Sequence, residues 1–208
     1  MMEIETIIFD LGGVLYNINH SLTRQAILSL SSKPTPIDFS LTTQNEVFNL
    51  YESGRISSKE FRKELRSLFS ISATDNEIDT AWNSMLLGLF PESVSIIQEL
   101  KSRYRIALLS NINDIHFRAI EEECMPLFLE LHDCFLSYTI GLRKPQPEIY
   151  NYVLNTMNIK PETTLFIDDA PQNINSAQNI GIHTLHITAN TPLMSVPYLI
   201  QKKSFHNL

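Results

Sequence analysis

Short apolar runs punctuate the chain at Glu3–Phe9, Arg105–Leu109, Cys134–Ser137, Thr164–Ile167 and Thr184–Ile187. In the first, Ile7-Ile8-Phe9 is apolar without alternation, the pattern of a strand buried on both faces, as in a parallel sheet. From Pro91 onward the runs alternate with helical stretches. Pro91-Glu92 opens a helix through Ile97 and Leu100, proline being well suited to the first helical position. Further helices are expected at about Asp114–Glu123, Pro147–Met157 and Asn173–Ile180, the last stopped by Gly181. Strands and helices alternating in this way predict an α/β fold, a doubly wound parallel sheet with right-handed crossovers.

Between the first strand and Pro91 the pattern changes. Tyr16–His20 alternates briefly and reads as a hairpin-like flap. From about Ser21 to Gly88 the apolar spacing is helical and amphipathic. Pro34 and Pro36 separate a helix at Leu22–Leu30 from one at about Thr43–Ser53, with Gly54 as its stop. Ser57-Ser58-Lys59-Glu60 and Thr74-Asp75-Asn76-Glu77 are two capping boxes. The first opens a helix with Phe61, Leu65 and Leu68 on one face, the second a helix through Ile78, Ala81, Trp82 and Met85. Trp82 and its neighbours read as core. The division expected is an α/β body over residues 1–16 and 89–208, with a helical insertion at 17–88. The last twenty residues show no clear period and are expected to run irregularly along the surface.

Composition narrows the class. The chain has 208 residues, 43% hydrophobic and 19% charged, enough for a sizeable core. A net charge of −7 argues against nucleic acid or an anionic membrane surface as partner. Acids stand at Glu3 and Glu5 where a signal peptide would be basic, and no run of about 18 apolar residues marks a membrane span. Cys124 and Cys134 make neither a disulfide framework nor a metal-spaced set, so a reducing cytoplasmic setting is expected. His183 and His186, three apart on a strand, point to opposite faces and read as structural rather than as zinc ligands.

The chemistry lies where the strands end. Asp10 follows Ile7-Ile8-Phe9 and is followed by Gly12-Gly13; Ser110-Asn111 follows Leu108-Leu109; Asp168-Asp169 follows Thr164–Ile167. In open α/β sheets the carboxyl ends of the strands are where ligands bind. Each residue also has an ordinary use: an Asp can bond its own turn, a Ser can cap the next helix, and Lys144 can be a surface lysine. The Asp pair is harder to explain that way. Unit charges 4 Å apart repel by roughly 4 kcal/mol at an effective dielectric of 20, a cost that a cation answers.

Taken together, Asp10, Ser110-Asn111, Lys144-Pro145 and Asp168-Asp169 with Asn173 resemble, in order and spacing, the four motifs of the haloacid dehalogenase superfamily. Residues 17–88 resemble that family's cap insertion. The chain is also similar to the subgroup holding a bacterial α-D-glucose-1-phosphate phosphatase, through Leu11-Gly12-Gly13-Val14, Glu52-Ser53-Gly54-Arg55-Ile56-Ser57 and Arg143-Lys144-Pro145. The resemblance implies an Mg²⁺-dependent phosphatase acting on a small phosphorylated metabolite. It casts Asp10 as nucleophile, Ser110 as donor to a phosphoryl oxygen and Lys144 as the charge that positions the nucleophile. The Asn111 backbone N–H would help Ser110 hold the phosphoryl group, and Gly12 and Gly13 would line the substrate. Asp10, the Gly12 carbonyl, Asp169 and, directly or through water, Asp168 would hold Mg²⁺, with Asn173 behind them.

One position departs from the pattern. Most phosphatases of this superfamily carry a second Asp two residues after the nucleophile, as general acid and base; here it is Gly12. General acid catalysis is typically worth about 10²–10⁴ in rate. A phosphatase with an acidic leaving group, such as a sugar 1-phosphate, suits a site without that acid. A dehalogenase using the same nucleophile and a non-catalytic phosphate-binding module are the alternatives. His20, beside the flap, is a weak candidate for the missing proton donor, being more readily read as a surface histidine.

Overall fold

The computed structural model describes residues 3–32 and 46–202. Pro34, Pro36 and the expected start of the second helix near Thr43 lie outside the described residues.

The apolar run before Asp10 becomes β1, Thr6–Phe9, wholly buried. The chain then makes a short strand, β2 (Tyr16–Ile18), and the helices α1 (His20–Ser29), α2 (Glu46–Glu52), α3 (Ser58–Phe69) and α4 (Asp75–Asn83). It returns through β3 (Leu86–Leu89), which pairs antiparallel with β2 as a two-stranded ribbon. The flap expected at Tyr16–His20 is thus half of a pair. Its partner was not expected, because Leu86-Leu87-Gly88-Leu89 follows a helix and has no alternation. Both oxygens of Glu123 tie the ribbon down: Tyr16 donates its hydroxyl to Oε2 at 2.8 Å and the Leu89 N–H reaches Oε1 at 3.0 Å.

Regular α/β structure follows: α5 (Ser93–Lys101), β4 (Arg105–Ser110), α6 (Asp114–Phe128), β5 (Asp133–Leu136), α7 (Ser137–Ile140), α8 (Pro147–Met157), β6 (Thr164–Asp168), α9 (Pro171–Asn179), β7 (His183–His186) and α10 (Val196–Gln201). The five-stranded sheet has the order β5-β4-β1-β6-β7 and is parallel throughout. Ile7 and Phe9 join Ile106, Leu108, Leu165 and Ile167 on one face, under α5 and α6. Ile8 joins Ala107, Leu109 and Phe166 on the other, under α8 and α9. Burying each such side chain stabilises by roughly 1.5–3 kcal/mol, and between their first and last positions the three central strands carry apolar residues alone.

Three further elements differ from expectation. α6 runs on to Phe128 past Pro126, since Cys124 and Leu127 are buried and anchor its last turns. The single turn α7 is too short to show a period. The tail is not irregular throughout: Val196 and Ile200 bury one side of α10 against the core.

Both capping boxes form as expected at Ser57 and Thr74. The four helices pack about their own apolar cluster, with Ile27, Tyr51, Phe61, Leu65 and Trp82 meeting Ile115 of α6. Trp82 is core, as expected. Among the described residues no helix is long and apolar enough to cross a membrane, and Cys124 and Cys134 are free thiols.

Candidate active site

β1 lies at the middle of the sheet, with β4 on one side and β6 on the other, so the winding direction reverses beside Asp10. The Asp10 N–H continues the ladder to the Ile167 carbonyl at 2.9 Å. Beyond it the backbone folds sharply, the Leu11 carbonyl accepting from both Leu15 and Tyr16 at 2.8 Å. Gly13 makes the turn with φ +80°, and a Cβ there would land on Asp169 Oδ2. Gly13 therefore lets the first loop close onto the second Asp of the pair. Gly12 has no such backbone demand; a Cβ on it would come 3.0 Å from Ile18 Cδ1, so a flap side chain stands beside the missing one.

Lys144 is the centre of the cluster. Its side chain is 1% exposed, and Nζ lies 2.7 Å from Asp10 Oδ1 and 2.7 Å from Asp168 Oδ2. Asp168 is fully engaged: Oδ1 accepts the Ala170 N–H at 2.8 Å, and the Asn173 amide reaches both oxygens at 3.0 and 3.1 Å. Asp169 is exposed, and its carbonyl accepts from His186 Nε2 at 2.9 Å. His183 likewise meets a carbonyl, that of Glu162, at 3.0 Å.

The electrostatics follow from this crowding. Burial pushes the Asp10 carboxyl up to about 7, opposed by Lys144 and reinforced by Asp168 and Asp169. Partial desolvation of its carboxyl at the cavity floor, then Asp168, also raises Asp169, although the residue as a whole keeps solvent access. Burial alone would lower Lys144, but the two carboxylates beside it outweigh that and raise it, so it stays charged.

Oxygens from Asp10, Asp168 and Asp169 all lie within 4.8 Å of one another. Three carboxylates around one ammonium leave two negative charges in excess. An all-oxygen set of this kind fits a hard divalent cation such as Mg²⁺ and not zinc.

Ser110 is buried at the end of β4 and faces the same cavity. Asn111 lines it too, but its carboxamide is committed to Lys144, donating to the Lys144 carbonyl and accepting the Lys144 N–H, each at 2.9 Å. The side chain holds the lysine loop; what it leaves for a ligand is its backbone N–H.

A cavity of about 420 Å³ extends from Asp10 to the underside of the helices. Sequence reasoning assigned no role to several of its walls. Arg143 and Glu52 pair across it, and His116 stands between α6 and α4. A carbonyl only accepts, so His116 Nε2 donates to the Trp82 carbonyl at 3.1 Å, and Nδ1 accepts from the Asn113 amide at 3.0 Å. Burial holds this imidazole down to about 4, neutral and fully bonded. His20 also lines the cavity, exposed at the start of α1. The stretch Glu52-Ser53-Gly54 was visible in the sequence, and Arg143 adjoins Lys144, but neither signals a partner by itself.

A model of the haloacid dehalogenase-like hydrolase family matches residues 4–181. Among characterised proteins, a D-ribitol-5-phosphate phosphatase of Bacteroides thetaiotaomicron is 32% identical over 193 residues, 87% of this chain and 90% of its own length. A sesquiterpene phosphatase of Aspergillus oryzae is 29% identical over 185 residues, 87% and 88% of the two chains. Among solved structures, a family enzyme from Bacteroides thetaiotaomicron in complex with magnesium and inorganic phosphate superposes with a TM-score of 0.81 at 31% identity. That match covers 89% of this chain and 95% of the other.

Proposed function

The chain belongs to the haloacid dehalogenase-like hydrolases, and we propose that it cleaves a small phosphate monoester through an aspartyl-phosphate on Asp10. The observation that carries this reading is the lysine at 2.7 Å from two buried carboxylates, beside a third that is exposed. Residues 17–88 act as the cap; residues 1–16 and 89–208 form the catalytic body.

Lys144 holds Oδ1 of Asp10, leaving Oδ2 to attack phosphorus while the ester P–O bond breaks. The Ser110 hydroxyl and the Asn111 N–H donate to phosphoryl oxygens as charge gathers on them. Water then attacks phosphorus, releasing inorganic phosphate and restoring Asp10. Asp10, Asp169 and the Gly12 carbonyl would hold Mg²⁺, which when bound neutralises charge on the transferred group. Asp168, with both oxygens occupied, serves to fix Lys144 and reaches the metal at most through water; Asn173 fixes Asp168.

No side chain at Gly12 protonates the departing alkoxide, which favours esters of acidic alcohols such as sugar 1-phosphates. A second reading is an acyclic polyol phosphate, favoured by the relative active on D-ribitol 5-phosphate. A dehalogenase needs no cation, and it would leave the charge excess around Asp169 without a purpose. The test is a screen of phosphate monoesters with and without Mg²⁺, with Asp10→Asn as blank. Turnover that survives chelation, or survives in Asp10→Asn, would sink the proposal.

A further inference from the structure

We infer that the Glu52–Arg143 ion pair reads the leaving group and selects esters whose alcohol carries several hydroxyls. The inference rests on the phosphatase reading above and names the substrate class for the same site.

The pair spans the cavity from α2 to the loop before Lys144. Arg143 Nη2 lies 2.7 Å and Nε 3.2 Å from the same oxygen, Glu52 Oε2. Converging on one oxygen leaves Glu52 Oε1 and Arg143 Nη1 to bond elsewhere. Both side chains keep partial access, 26% for Glu52 and 12% for Arg143, so water can reach both charges. A polyol hydroxyl can donate to the free carboxylate oxygen and another can accept from the guanidinium. An all-apolar alcohol would displace that water and return no hydrogen bond to either charge.

Two of the other cavity walls are already engaged with their neighbours. His116 has both ring nitrogens committed. Trp82 is stacked on Phe48 at 5.6 Å and on His116 at 5.2 Å.

The pair is also held in place from both sides. Buried Ser137 donates to the Glu52 carbonyl at 2.6 Å, and Gly54 sits so close to the Tyr138 carbonyl that a Cβ there would collide with it. Arg143 is one residue from Lys144, whose backbone Asn111 brackets. The distance from the pair to Asp10 is therefore set before substrate arrives, and recognition costs little ordering.

The test compares kcat/KM for an acyclic polyol phosphate, phenyl phosphate and a prenyl monophosphate in the Mg²⁺-loaded enzyme, its Glu52→Gln variant and its Arg143→Lys variant. A hydrogen bond to a charged group is worth enough that the polyol-to-phenyl ratio should fall roughly 10- to 100-fold in Glu52→Gln. Arg143→Lys, which keeps the charge but not the fork, should lose less. Phenyl phosphate itself should change little. Equal losses on polyol and phenyl esters would mean that the pair only docks the helices, and would overturn the inference; so would a wild-type preference for the prenyl ester. Absence of any wild-type turnover of phenyl phosphate would instead count against the phosphatase reading. In that case calorimetric titration with the free polyol still decides: binding that is weakened in Glu52→Gln supports the inference, and unchanged or absent binding refutes it.

Discussion

Replacing Lys144 by Met tests the electrostatic account of the site most directly. The ammonium is 1% exposed and bonded to Asp10 and Asp168, which are 7% and 0% exposed. Removing one member of such a buried pair typically costs about 3–5 kcal/mol. A second route gives the same scale. Carboxylate oxygens up to 4.8 Å apart, left without the lysine, repel by about 3.5 kcal/mol per pair at an effective dielectric of 20. In urea, with a slope of about 2 kcal/mol/M, the midpoint should fall by roughly 2 M in chelator.

The loss must depend on pH. Burial already raises Asp10 in the folded protein to about 7, above its ordinary 3.8, and loss of Lys144 raises it further. A carboxyl raised on folding contributes stability that is complete below its unfolded value and is lost as pH rises through the folded value. Lys144→Met should thus be least destabilised near pH 5, where Asp10 takes a proton, and most destabilised near pH 8. Mg²⁺ should return part of the loss at the higher pH by supplying the missing positive charge. Unfolding curves at both pH values, with and without Mg²⁺, check all three statements. A loss of the same size at both would mean that the cost is packing and that the charge argument is wrong.

Asp169→Ala should abolish Mg²⁺-dependent turnover and calorimetric Mg²⁺ binding while shifting stability by no more than about 0.5 kcal/mol, since the side chain is exposed; Mg²⁺ affinity equal to wild type would refute its role as ligand. Gly13→Ala should cost about 1–2 kcal/mol for a left-handed backbone alone, and should weaken Mg²⁺ because its methyl meets Asp169; unchanged Mg²⁺ affinity would show that the loop has room. In the wild type, log kcat/KM should fall steeply with leaving-group pKa. Gly12→Asp should flatten that plot, Ile18 Cδ1 being the end of a flexible side chain that can yield. A plot already flat for wild type, with chemistry rate-limiting, would mean that another group donates the proton.

Much of this molecule was legible along the chain because its signals are local. Buried parallel strands need apolar residues on both faces, so Ile7-Ile8-Phe9, Leu108-Leu109 and Leu165-Phe166-Ile167 announced themselves, and the polar residue ending each run marked the sheet edge. Capping boxes at Ser57 and Thr74 act within one turn and were equally readable. What the tertiary structure alone decided are the pairings between distant residues. β2 finds β3 some 70 residues on, a partner that neither short strand specifies. Two adjacent aspartates look alike in sequence, yet Lys144, Ala170 and Asn173 occupy Asp168 and leave Asp169 open. The Asn111 carboxamide is committed to a loop 33 residues later, a pairing that nothing in its own segment announces. Glu52 likewise meets Arg143 across 91 residues. Such contacts form only once the sheet and the helices above it are packed, and they leave no period or spacing in the sequence.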